Sequence, residues 1–231
     1  MSMKMILEYF EKQPEGSIFI ARELYMGQFN EMTETAFLKA LERINQQGIL
    51  IRLSKGIYCK PRRTQFGTIA AGERDLTSYF TGKNHRYGFV IGYRLYNKYR
   101  LTTQISKTVE VYSQKSPVIE GNIQYIRLRK LESFYHSDMR PMIEFLEILE
   151  HYRDIEDLNR KSFLRYCSAA VKEFNENIFE DVYPKMGYKK RTIAFLKEIL
   201  DTYGVHNTLK KYLCGSSKYQ IPQWRGHYGT L

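Results

Sequence analysis

Between Ile49 and Arg63 the sequence carries five cationic side chains, Arg52, Lys55, Lys60, Arg62 and Arg63, and no carboxylate. Just upstream, Thr35, Lys39, Arg43 and Gln46 recur every three or four residues, which places them on one helical face, away from Phe37, Leu41 and Ile44. These residue types recognise a polyanion. On a helix entering the major groove, Arg and Lys donate to guanine edges and Thr meets phosphates or thymine methyls. Arg52, Lys55, Arg62 and Arg63 would reach phosphates or the minor groove, contacts that set register and affinity without specifying sequence. Thr33, at the helix start, completes the candidate DNA-binding set. Glu34 and Glu42 lie beside the helical face and would repel phosphate, so the basic run is the stronger of the two elements.

Catalytic chemistry has no comparable footing. The five histidines (His85, His136, His151, His206, His227) are scattered, without an H-x-x-x-H or H-E-x-x-H pattern. Glu144, Glu147, Glu150 and Asp154 recur at helical spacing, and such a row can hold metal in a bundle. Here it lacks a Glu-x-x-His partner, and a solvated helix face is the expectation. No phosphate-cradling glycine loop or nucleophile elbow occurs. Gly215-Ser216 could open a nucleotidyltransferase signature, but no Asp or Glu follows Asp201 to hold its metal. The expectation is a non-enzyme with no cofactor, catalytic residue or metal site.

The elements that must position the basic residues follow from periodicity. Lys4–Lys12 predicts a short helix on Ile6, Leu7 and Phe10; Ser17–Phe19 a short strand; Ala21–Met26 a second helix, broken at Gly27. A third helix starts at a cap, Thr33 or Thr35, and stops at Gly48. Two alternating runs then turn at Ser54-Lys55-Gly56, a hairpin. Helix, strand, helix, turn, helix, hairpin is the order of a winged helix-turn-helix, and Pro61–Gln65 leads out of it as a linker.

Further on, Thr68–Phe80 and Val90–Tyr99 are expected helices. Lys107–Ser113 and Asn122–Arg129 are expected as an antiparallel pair joined across Pro117 and Gly121. Helices are also expected from about Pro141, from Asp157 to Phe174, from Thr192 to Tyr203 and, short, from Asn207 to Leu213. Ile221, Trp224 or Tyr228 could dock a loop-like tail. The fold class expected is α+β: a winged helix-turn-helix over 1–65, then a domain over 66–231 that is mixed α/β to about 135, helical over 136–215 and a tail over 216–231.

The net charge of +11 is concentrated early. Residues 1–65 hold ten cationic against seven anionic side chains, residues 66–135 eleven against five, and residues 136–231 fifteen against thirteen. That distribution favours a polyanionic partner. Three scattered cysteines form neither a disulfide framework nor a zinc knuckle. With no leader and no apolar run of membrane-spanning length, the expected setting is the cytoplasm, away from any membrane.

Two stretches resemble a known family. RLSKGIYCKP (Arg52–Pro61) is similar to a family wing written R-x-x-x-G-x-Y-x-x-P, and FVIGYRLYNKYRLTTQISKTVEVYS (Phe89–Ser113) to a segment running through LTTQ into a strand. The family is that of the AbiEi-type antitoxins of type IV abortive-infection toxin–antitoxin systems and their transcriptional-regulator homologues, and the likeness spans roughly residues 1–150. The chain departs from it at Arg100, where the family often has Gly, and at Ser106, where it has Pro. The resemblance implies a phage-defence antitoxin that binds duplex DNA at inverted repeats in its own promoter and counteracts a nucleotidyltransferase toxin. The alternatives are a protein–protein or RNA-binding adaptor with a structural winged helix, or a stand-alone transcriptional regulator.

Overall fold

Helix α1 (Met3–Lys12) forms where Ile6 and Phe10 repeat at one-turn spacing, and both are fully buried in the computed structural model that describes residues 3–115, 120–215 and 218–225. Strand β1 (Ile18–Ile20) follows, then α2 (Ala21–Leu24), which does not break at Gly27. A π turn over Tyr25–Phe29 carries it on, burying Phe29, and Tyr25 donates its hydroxyl to the Met32 carbonyl at 3.0 Å. Helix α3 (Glu34–Gln46) buries Phe37, Ala40, Leu41 and Ile44. Phe29 stacks on Phe37 at 5.1 Å, and Phe10 meets Phe19 edge-on at 5.2 Å. Each such ring contributes about 1.5–3 kcal/mol by leaving water, which is what holds these short helices together.

Strands β2 (Ile51–Ser54) and β3 (Ile57–Cys59) form the expected hairpin, with β3 between β1 and β2, all antiparallel. The expected linker is a second hairpin instead: β4 (Arg62–Thr64) pairs with β5 (Gly67–Ile69), so the helix expected from Thr68 begins only at α4 (Glu73–Thr81). All six residues of these strands are exposed. They show no apolar alternation, which is why periodicity misses them.

Val90–Tyr99 is not one helix. It is β6 (Gly88–Ile91) followed by α5 (Gly92–Lys98). Strand β7 (Val109–Ser113) comes next, then a tight hairpin of β8 (Glu120–Ile123) and β9 (Ile126–Lys130), turning at Gln124-Tyr125. The expected single strand Asn122–Arg129 thus folds back on itself; Gln124 adopts φ 50°, reversing the chain. Pro117 lies outside the described residues.

The chain groups into two units, Met1–Gly88 with Val111–Glu132, and Phe89–Glu110 with Ser133–Leu231. Helix α6 (Arg140–Glu150) is the centre of the second unit. Pro141 sits in its first turn, and every residue from Met142 to Leu149 is buried. Around it lie α7 (Arg160–Ala170), α8 (Glu176–Met186) and α9 (Lys190–Thr202). Helix α8 escapes sequence reading because Pro184 sits inside it. Asn207 does not open an α-helix but accepts from the Leu209 N–H at the head of a short 3-10 turn, Leu209–Tyr212. Of the tail, Trp224 docks, 2 % exposed, beside Phe163, Phe195 and Tyr203, donating its indole N–H to Glu198 at 2.9 Å; Tyr228 lies outside the described residues. No described helix is long and apolar enough to cross a membrane.

Candidate nucleic-acid interface

Helix α3 presents Thr35, Lys39, Arg43 and Gln46 to solvent, opposite the buried Phe37–Leu41–Ile44 stripe. Its ends are well defined. Thr33 is the N-cap, its hydroxyl accepting from the Ala36 N–H at 3.3 Å. At the other end Gly48 takes φ 72°, which lets the Ile49 N–H return to the Ile44 carbonyl at 3.2 Å. Glu34 and Glu42 are exposed on the same helix.

The hairpin β2–β3 turns through Lys55-Gly56, with Gly56 at φ 75° and Lys55 exposed at the tip. It is tied to α3 by the Arg52 N–H, which donates to Asn45 Oδ1 at 2.8 Å, and by Leu50 and Tyr58, which pack in one core with Leu41 and Ile44. The outward face of α3 and the hairpin therefore keep a defined relative orientation. Arg52 folds its guanidinium along its own strand, Nε donating to the Ser54 carbonyl at 3.3 Å.

Two of the five cations in the run have structural duties. Lys60 points its ammonium at the C-terminus of α1, donating to the carbonyls of Phe10, Glu11 and Gln13 at 2.9, 2.8 and 2.7 Å. That satisfies carbonyls the helix leaves orphaned and places a positive charge at its negative end. Arg62 forms a two-pronged pair with Asp75 at 2.9 and 2.7 Å, its guanidinium lying where a side chain on Gly16 would clash at 2.7 Å. This bond, with the Gly72 N–H, holds the Asp75 carboxyl below the ordinary aspartate range. A second carboxylate also reaches the run, Glu15 accepting from the Arg63 N–H at 3.3 Å. What remains turned to solvent is Lys39 and Arg43 on the helix, Lys55 at the tip, and the side chains of Arg52 and Arg63.

Cys59, inside the hairpin, is buried, accepts from the Ala71 N–H at 3.4 Å, and has its thiol pushed up by burial, which disfavours the thiolate.

In the second unit, the carboxylate row on α6 is not a solvated face. Glu144 and Glu147 are 3 % and 4 % exposed. Glu144 takes two bonds from the Lys98 ammonium, at 2.9 and 2.8 Å, and one from the Tyr99 hydroxyl at 2.5 Å. Glu147 accepts from the Tyr188 hydroxyl at 2.8 Å, and Glu150 from the Thr192 hydroxyl at 2.5 Å, with Lys189 Nζ at 3.0 Å. Burial raises the Glu150 carboxyl, but the bonds from Thr192 and Lys189 outweigh it and leave it lowered. Buried charges need such partners, and the arrangement is one of satisfied structural pairs.

The model for a family of unknown function, DUF6088, matches residues 5–123, more than half of the chain. The chain belongs to the DUF6088 family. The DUF6088 match runs from within α1 to the end of β8, including α3 and both basic hairpins, while α6 to α9 lie beyond it. No curated protein matches the chain.

Proposed function

We propose that α1 to β3 act as a winged helix-turn-helix, with α3 as the recognition helix and β2–β3 as the wing, and that the chain reads duplex DNA. The observation that carries this is the sequence from Arg43 to Gly72, which lacks any carboxylate, together with the Asn45–Arg52 bond that fixes the helix and wing as one surface. Lys39, Arg43, Lys55, Arg52 and Arg63 are the contacts expected to face phosphates and groove edges. Arg62 contributes by holding the neighbouring hairpin.

On this reading the chain is an AbiEi-type antitoxin that represses its own operon at inverted repeats and counteracts a nucleotidyltransferase toxin. Its support is the resemblance in Arg52–Pro61 and Phe89–Ser113. Arg100 adds to it: the residue adopts φ 57°, a left-handed geometry natural to the glycine the family often carries there. Binding of the full chain to its own upstream region across a salt series tests the DNA reading. Absence of binding at low salt, or affinity indifferent to salt, refutes it. Co-expression with the neighbouring gene, scored for rescue of growth, tests the antitoxin role, and persistent toxicity refutes that.

A further inference from the structure

The β4–β5 hairpin has no evident duty in the core. Its strands are exposed on both faces, and at its tip Phe66 is 90 % exposed, the most exposed large apolar side chain among the described residues. The tip is nonetheless well ordered by its own bonds. The Thr64 hydroxyl donates to the Gly67 carbonyl at 2.9 Å, and the Phe66 N–H donates to the Thr64 hydroxyl oxygen at 3.2 Å, neither of which uses the phenyl ring. The base is anchored by Arg62 on Asp75 and by the Ala71 N–H on Cys59. A two-stranded ribbon without a packed face is marginal alone, so these anchors present a ring that contributes nothing to folding.

The residues around that ring match one occupant. From Arg62 to Ile69 the hairpin holds two arginines, two threonines and a glutamine, and no carboxylate. A two-stranded ribbon fits a DNA groove, and an inserted apolar side chain is the device by which groove-binding proteins wedge a base step. The ribbon's available cation, Arg63, lies towards its base, Arg62 being held by Asp75. Resting on the DNA reading above, we infer that β4–β5 is a second DNA contact, an arm that enters a groove and lays Phe66 against a base step. Its ligand is duplex DNA, contacted through base faces and not only phosphates.

Full-length chain as wild type, Phe66→Ala and Phe66→Trp is titrated with a mixed-sequence duplex at low salt. The Phe66→Ala chain is expected to bind about tenfold more weakly, in the range that removing a base–aromatic stack produces. Its salt dependence should be unchanged, because no charge is removed. The Phe66→Trp chain should lose tip emission on adding DNA, against the constant background of buried Trp224, the sole native tryptophan. Equal affinities with unmoved emission overturn the arm and leave the DNA reading intact. Failure of all three chains to bind overturns the DNA reading itself. An emission change on raising protein concentration alone assigns the tip to a contact between copies and also overturns the inference.

Discussion

Asn45, in the last turn of α3, accepts the backbone N–H of Arg52, in the first residues of β2, at 2.8 Å. That bond gives the outer face of α3 and the hairpin one shared geometry. Asn45→Ala is expected to cost about 1 kcal/mol of stability, the net worth of one such bond, and to weaken DNA binding by more than that loss explains. Urea unfolding and a binding titration read the two effects separately; unchanged DNA affinity would show that the alignment is irrelevant to binding.

Salt dependence distinguishes the cations. Replacing Lys39, Arg43, Lys55 or Arg63 by Ala should flatten the slope of log affinity against log salt by about 0.9 for each phosphate no longer neutralised. Arg62→Ala should leave the slope alone, because its guanidinium is already held by Asp75. A slope that falls with Arg62 but not with the others would invert the assignment.

Acid should dissolve the Arg62–Asp75 anchor in a defined direction. The carboxyl is depressed in the folded chain, chiefly by the Arg62 bond. In acid the unfolded chain therefore binds the proton first, and the contribution, complete above the ordinary aspartate value, is lost as pH falls through the depressed one. Both side chains are partly open to solvent, so the contribution is small. Wild type should exceed Asp75→Asn in stability at neutral pH and converge with it in strong acid, as followed by denaturant midpoints. A gap that stays constant into strong acid would place the effect elsewhere.

Gly88 is required by space. A Cβ there would lie 1.9 Å from the Tyr112 carbonyl oxygen, a backbone atom that cannot swing aside. Gly88→Ala should therefore destabilise by about 3 kcal/mol or more, visible as a large drop in thermal midpoint. A near-neutral result would mean that β6 and β7 separate at no cost.

What sequence reading reached was what local pattern encodes. The stripes of α1, α3, α6 and α9, the turn at Lys55-Gly56 and the stop at Gly48 all follow from spacing or from a left-handed backbone. Distant partners decided the rest. Glu144, Glu147 and Glu150 read as a solvated row because Lys98, Tyr99, Tyr188, Lys189 and Thr192, which satisfy them, are far away in the chain. Arg62 reads as an interface charge because Asp75, which takes up its guanidinium, lies outside the basic run, and nothing local in the sequence shows that Lys60 closes the end of α1. The β4–β5 hairpin was hidden for the opposite reason, having no buried face to leave a period. Its exposed Phe66 leaves no mark in the sequence that sets it apart from a core residue.

The path of the chain between the two units constrains how the gene can be dissected. It leaves the first unit after Gly88, returns at Val111 and leaves again after Glu132. Neither unit is therefore a cassette that one breakpoint can lift out. A stop codon anywhere between Gly88 and Val111 leaves an amino-terminal fragment lacking β7, β8 and β9, and a start codon there leaves the second unit joined to strands of the first. Domain swaps between relatives should succeed only when both excursions are exchanged together. A single-crossover chimera with its breakpoint between Gly88 and Val111 assembles the first unit from two parents, and should lose stability as those parents diverge within it.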